Sequence, residues 1–146
     1  MESRIHKEFN DFTSNSIENC SIEMQSDNSF IWNAAILGPL ETPYEGGYFF
    51  LRITIPEDYP IKPPNVQFTT KIYHQNINPD GKFCSYHCFW KDNWSAAKTI
   101  RGVIEYIIDL LKNPIADCNA DHNFDDINDT EKFKRTARIW TQRYAM

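Results

Sequence analysis

Long apolar runs are missing from this chain. No stretch approaches the roughly 18 continuous apolar residues of a membrane-spanning helix, and Met1-Glu2-Ser3-Arg4-Ile5-His6-Lys7 contains no apolar signal core. The expectation is a soluble, unsecreted protein of the cytoplasm, the nucleus or both, with no membrane partner. Basic residues are also in short supply. Fifteen Lys and Arg against 20 Asp and Glu leave a net charge of −5, which argues against nucleic acid as the main partner, because phosphate binding needs a surplus of cations on one face. Cysteine is sparse as well. Four of them (Cys20, Cys84, Cys88, Cys118) in 146 residues are too few for a disulfide scaffold and fit a reducing compartment. Repeats, linkers and low-complexity runs are absent. The length and the 41% apolar, 14% aromatic composition suit one domain over residues 1–146, expected as a monomer. Charge is nevertheless uneven. Asp117, Asp121, Asp125, Asp126, Asp129 and Glu131 stand without a Lys or Arg among them, and Lys132, Lys134, Arg135, Arg138 and Arg143 follow, a pattern read as a solvated acidic loop before a basic helix face.

What is present is strong periodicity. Ile5, Phe9 and Phe12 recur at helical spacing between Arg4, His6, Lys7 and Glu8, which predicts an amphipathic first helix with a charged outer face, ending near Ser14-Asn15. From Cys20 to Phe68 the period becomes two: Ile22/Met24, Phe30/Trp32/Ala34/Ile36, Phe49/Leu51/Ile53/Ile55 and Val66/Phe68. Four successive strands in an antiparallel meander follow from this, with turns at Asp27-Asn28-Ser29 and from Gly38-Pro39 to Glu45-Gly46-Gly47. Pro56, Pro60, Pro63 and Pro64 make the next connection a stiff loop without ladder pairing, suited to docking. Ile100, Val103, Ile104, Ile107, Ile108 and Leu111 then define a buried helix, capped by Thr99 and stopped at Asn113-Pro114. Phe133, Ala137, Trp140 and Tyr144 mark a last amphipathic helix with Thr130 as its cap.

The chemistry concentrates in one stretch. His74-Gln75-Asn76-Ile77-Asn78, then Gly81 and Cys84, set a cysteine a short loop away from an asparagine amide. A thiolate can accept an acyl group as a thioester, and a nearby amide can donate a hydrogen bond to the oxyanion formed when that thioester is attacked.

This run, with Trp94-Ser95 ten residues on, resembles the active-site segment of ubiquitin-conjugating enzymes. Further blocks agree over nearly the whole chain: Arg4-Ile5-His6-Lys7-Glu8; Gly38-Pro39 with Thr42-Pro43-Tyr44-Glu45-Gly46-Gly47; Asp58-Tyr59-Pro60-Ile61-Lys62-Pro63-Pro64; Ile72 to Asn78; and Trp140-Thr141-Gln142-Arg143-Tyr144-Ala145-Met146. The last block is most similar to the short D subfamily. The resemblance implies an α/β (α+β) fold with an N-terminal helix, a four-stranded antiparallel meander, an active-site loop, a central helix and C-terminal helices. It implies that Cys84 accepts ubiquitin or a ubiquitin-like protein from an activating enzyme and passes it to a lysine or a ligase cysteine. No cofactor is implied, since ATP is consumed by the activating enzyme.

By the same resemblance Asn76 stabilises the oxyanion or holds its loop, and His74 and Trp94 serve loop architecture. Arg4 and Lys7 face the activating enzyme, Ile61 and Ala96 occupy positions that bind RING or HECT ligases, and Ser21 matches a serine through which some members bind a second ubiquitin non-covalently. The residue that orients the incoming lysine should follow the central helix. Counting from Asn113-Pro114 reaches Cys118. Asp117 takes the role if the loop shifts by one, and Asp121 is a further candidate.

Departures from the family pattern are specific. The usual His-Pro-Asn is His74-Gln75-Asn76; the stretch from Cys84 to Trp94 is two residues longer than in the D subfamily, with Tyr86 where aspartate is usual; Ile61 replaces phenylalanine and Ala96 replaces proline. Different ligase choice follows, because losing an aromatic anchor commonly costs about 2 kcal/mol or more. Rival readings are weaker. A non-catalytic binding variant would lack the cysteine and the terminal helices. A zinc shell from Cys84, His87, Cys88 and Cys118 has only one close cysteine pair, so no metal site is expected. A papain-like protease would need a local signature that is absent. Cys88, four residues from Cys84, could form a reversible disulfide with it under oxidation.

Overall fold

Strict alternation of apolar residues over the first half of the chain folds as β1 (Cys20–Gln25), β2 (Asn28–Leu37), β3 (Tyr48–Thr54) and β4 (Asn65–Phe68), antiparallel neighbours in chain order. The computed structural model describes residues 2–83, 94–114 and 130–146. Register stacks the predicted apolar positions into rows across the sheet. Met24 pairs with Trp32, Trp32 with Ile53 and Ile53 with Val66; Ile22 pairs with Ala34, Ala34 with Leu51 and Leu51 with Phe68. One face is therefore almost wholly apolar. Trp32, Ala34, Ile36, Phe49, Leu51 and Ile53 are sealed from solvent, each large side chain contributing about 1.5–3 kcal/mol by burial. The opposite face carries Ser21, Glu23, Asn33, Phe50 and Arg52 and is open to water.

Three helices complete the described core: α1 (Glu2–Ser14), α2 (Ile100–Lys112) and α3 (Thr130–Trp140). Ile5 and Phe12 of α1 are buried, and Phe9 meets Trp32 edge-on at 5.3 Å. On α2 the Thr99 hydroxyl accepts the Gly102 N–H, the N-cap expected from sequence. The buried stripe of α2 is Ile100, Val103, Ile104, Ile107, Leu110 and Leu111. Leu110, absent from the predicted stripe, is buried, while Ile108 is only half-buried. The core-facing arc is wide enough to take two adjacent positions at the helix end.

Two details of the C-terminus depart from expectation. Thr130 is the first residue of α3 rather than the cap before it, and the helix widens into a π-helical turn over Thr141–Ala145. There the Thr141 hydroxyl donates to the Ala137 carbonyl, and Thr141 and Ala145 close on Gly47 at a distance only a glycine permits. Arg138 donates to the carbonyls of Pro43 and Glu45. The long β2–β3 connection is thereby fixed to the chain's C-terminal helix.

The first helix also differs from its predicted pattern. Glu8, placed by composition on a charged outer face, has a side chain only 11% exposed. It stands three residues after Ile5 and four before Phe12, so helical geometry turns it toward the core edge.

Adjacent positions on β3 test the register. Phe49→Ala should cost about 3–5 kcal/mol of unfolding free energy, whereas Phe50→Ala on the open face should cost about 0.5 kcal/mol or less. Denaturant titration of both variants reads the difference.

Candidate functional site

The segment after β4 is built around a buried histidine. His74 is fully buried; its Nε2 lies 2.9 Å from the Leu110 carbonyl and its Nδ1 accepts the Asn76 backbone N–H at 3.0 Å. Because Nδ1 accepts, the ring proton sits on Nε2, which donates to Leu110. The reason Leu110 has a carbonyl to offer lies in the sequence. Its helical partner four residues on would be Pro114, which has no N–H. Both ring nitrogens are thus engaged in holding the loop against the end of α2. Tyr44 stacks on the ring at 5.8 Å, and its hydroxyl donates to the Tyr73 carbonyl at 2.7 Å. Tyr73 itself packs between Phe133 and Trp140 of α3, ring centroids 5.0 and 5.2 Å away.

Asn76 is also fully buried. The next residue, Ile77, bridges both His74 and Phe83, so the loop closes on itself and on the residue that directly precedes Cys84. A tight turn delivers that residue. Asn78 N–H donates to the Lys82 carbonyl at 2.7 Å and Gly81 N–H to the Asn78 carbonyl at 2.9 Å, while Asp80 Oδ1 accepts the Lys82 N–H. The Gly81 carbonyl accepts the Phe68 N–H at 2.9 Å. Gly81 sits at φ +87°, and a Cβ there would run into the Phe68 carbonyl. Glycine is therefore required twice over, by conformation and by space. Phe83 is buried against Phe68 at 5.7 Å.

A second group of predicted residues gathers at the start of α1 and α2. Trp94 Nε1–H donates to the Pro60 carbonyl at 2.8 Å and its ring lies 5.9 Å from Tyr59. This sets the proline loop beside residues 94–99, and so brings Ile61, 77% exposed, into the same region as exposed Ala96. Lys7 is exposed on α1. Arg4 is not a free basic handle: Nε donates to Glu8 at 3.0 Å, Nη2 to the Lys98 carbonyl at 3.1 Å, and the guanidinium lies over the Tyr59 ring. Ser21 lies apart from both groups, on the open face of β1, opposite Ala35, which in turn pairs with the half-exposed Phe50.

Cys84, Cys88, Cys118, His87, Tyr86, Asp117 and Asp121 lie outside the described residues. Cys20 does not. Half-burial pushes its thiol up to about 11, leaving roughly one molecule in ten thousand as thiolate at pH 7. Cys20 is a poor acyl acceptor.

The profile of the ubiquitin-conjugating enzyme family matches residues 4–141. The chain belongs to that family. Solved structures agree in fold and length. A Plasmodium yoelii protein provisionally described as a ubiquitin-conjugating enzyme shares 37% identity at a TM-score of 0.88, over 99% of this chain and 94% of its own. A Toxoplasma gondii ubiquitin-conjugating enzyme domain shares 36% identity at 0.87, over 99% of both chains.

For a ubiquitin-conjugating enzyme, the residues to which periodicity and motif reading gave no role of their own are those that hold loops. Glu8, Tyr59, Asp80 and Tyr44 are the chief ones. Pro114 opposite His74 was a readable signal, since a proline four residues after a helical carbonyl frees that carbonyl for another donor. Gly81→Ala should destabilise the fold by about 1–3 kcal/mol from backbone strain alone, measured by thermal or denaturant unfolding. Nitrogen-15 spectra of the histidine rings should show His74 as the Nε2–H tautomer; an Nδ1–H ring would contradict the geometry described.

Proposed function

We propose that this ubiquitin-conjugating enzyme carries ubiquitin as a thioester on Cys84 and transfers it to a substrate lysine or a ligase cysteine. The observation that carries the reading is the pairing of Ile77 with Phe83. It sets the residue after buried Asn76 against the residue before Cys84. In charging, the Cys84 thiolate attacks the activating enzyme's thioester carbonyl; a new C–S bond forms and the activating enzyme's thiolate leaves. In discharge, a lysine amine attacks the same carbonyl, a C–N bond forms, and the Cys84 thiolate departs while the amine gives up a proton.

Asn76 stabilises the oxyanion of that second step. Asp117 is the candidate carboxylate that orients the lysine. His74 works through loop position, because neither ring nitrogen is available for proton transfer. Trp94 anchors the far side of the Cys84 stretch on the proline loop. Arg4 and Lys7 serve recognition by the activating enzyme, and Ile61 and Ala96 recognition by RING or HECT ligases. Ser21, with Phe50 and Tyr48 on the open sheet face, is a place for a second, non-covalent ubiquitin. The chain works as a monomer in cytoplasm or nucleus and needs no cofactor of its own, ATP being used upstream.

Incubation with ubiquitin's activating enzyme, ATP and ubiquitin should give a reductant-sensitive band on a non-reducing gel. Cys84→Ser should abolish it or turn it into a reductant-resistant ester, while Cys88→Ser should charge normally. Asn76→Ala should still charge but discharge to free lysine about 100- to 1,000-fold more slowly. Failure of the wild-type protein to charge, or wild-type discharge by Asn76→Ala, would contradict the respective assignments.

A further inference from the structure

One carboxylate joins three segments that are far apart in sequence. Glu8 Oε2 accepts the Tyr59 hydroxyl at 2.6 Å and Arg4 Nε at 3.0 Å, and Glu8 Oε1 accepts the Ile100 backbone N–H at 2.8 Å. The Ile100 N–H is the first of α2, an orphan donor at the positive end of the helix dipole, so a negative acceptor suits it. The hydroxyl and guanidinium contacts are charge-assisted and hence shorter and stronger than neutral ones. Burial and the neighbouring Glu8 charge together raise the Tyr59 hydroxyl well above the ordinary phenol range, so it stays a donor.

The segments joined in this way are those that display the exposed residues of the proposed partner face. Lys7 lies on α1 one residue before Glu8, Ile61 two residues after Tyr59, and Ala96 four residues before Ile100. Tyr59 adds the next link, because its ring supports Trp94, whose indole holds the Pro60 carbonyl. Arg4 adds another through the Lys98 carbonyl. By contrast, the contacts given above for the His74–Phe83 segment run to β4, Leu110 and Tyr44.

We propose that Glu8 is a positioning residue for partner recognition: through Tyr59 and Ile100 it fixes α1, which carries Lys7, against the proline loop and the start of α2, so that the activating enzyme meets Lys7 on a preset surface. This rests on the carrier function proposed above. A face spread over three segments binds well only when their relative placement is set before the encounter. Loss of the carboxylate should therefore weaken binding to the activating enzyme without altering the chemistry that follows binding.

The test is steady-state charging by ubiquitin's activating enzyme, with this chain as the varied substrate, for Glu8→Gln and for the milder Tyr59→Phe, which removes one hydroxyl and keeps the ring on Trp94. The expected result is a KM raised roughly tenfold in Glu8→Gln and several-fold in Tyr59→Phe, with kcat within about twofold of wild type. Melting curves establish that each variant is folded at the assay temperature. Should Glu8→Gln melt below it, Tyr59→Phe decides alone. An unchanged KM, or a kcat that falls while KM stays put, overturns the proposal. Absence of any charging by the wild-type chain would instead overturn the carrier function, and this proposal with it.

Discussion

A single neutral imidazole, buried between a helix end and a loop, is the constraint on which the rest of the site depends. His74 donates to the Leu110 carbonyl that Pro114 leaves without a helical partner and accepts the N–H of Asn76. Leaving either polar partner unpaired in the interior would cost about 1–3 kcal/mol, so the arrangement is cooperative: helix stop, ring tautomer and loop path are chosen together. From it follow the position of Asn76, the bridge from Ile77 to Phe83 and, one residue on, the point at which Cys84 enters the chain. The chemistry proposed for Cys84 needs a carbonyl held still beside a preset donor, and a loop tied at both histidine nitrogens supplies such a frame.

The sheet does different work. Its apolar face fixes where α1 and the end of β4 lie, and β4 provides the wall on which the Gly81 turn and Phe83 rest. The proline loop and the start of α2 are held separately, through Trp94, Tyr59 and Glu8. Both regions nevertheless rest on α2, the first through the Leu110 carbonyl near its end and the second through the Ile100 N–H at its start.

Much of this was legible in the sequence, for identifiable reasons. Period-two alternation over Cys20–Phe68 is forced by a sheet with one buried face, and it gave all four strands with their buried sides. Thr99 and Asn113-Pro114 bounded α2 because capping and the missing proline N–H act locally. Glu8 was misplaced because charge is normally a sign of solvent, and only three-dimensional convergence of Tyr59, Arg4 and the Ile100 N–H makes its burial favourable. Leu110 was missed because a helix end that packs on two sides needs a wider apolar arc than a single stripe. The π-helical turn at the C-terminus has no local sequence signal; it answers to tertiary contact with the Gly47 backbone. The contacts of the Arg4 guanidinium with Glu8, Lys98 and Tyr59 were likewise not legible, because they join segments far apart in sequence.

Membership of the ubiquitin-conjugating enzymes follows from the match over residues 4–141 and from the fold. The central claim goes one step further, to a particular sulfur. Peptide mapping by tandem mass spectrometry of the adduct formed with ubiquitin, its activating enzyme and ATP, at low pH and without reductant, tests it most directly. The account predicts the acyl group on Cys84 alone, with Cys20, Cys88 and Cys118 free to alkylate; an acyl group found on any of those three, or on none, would contradict it.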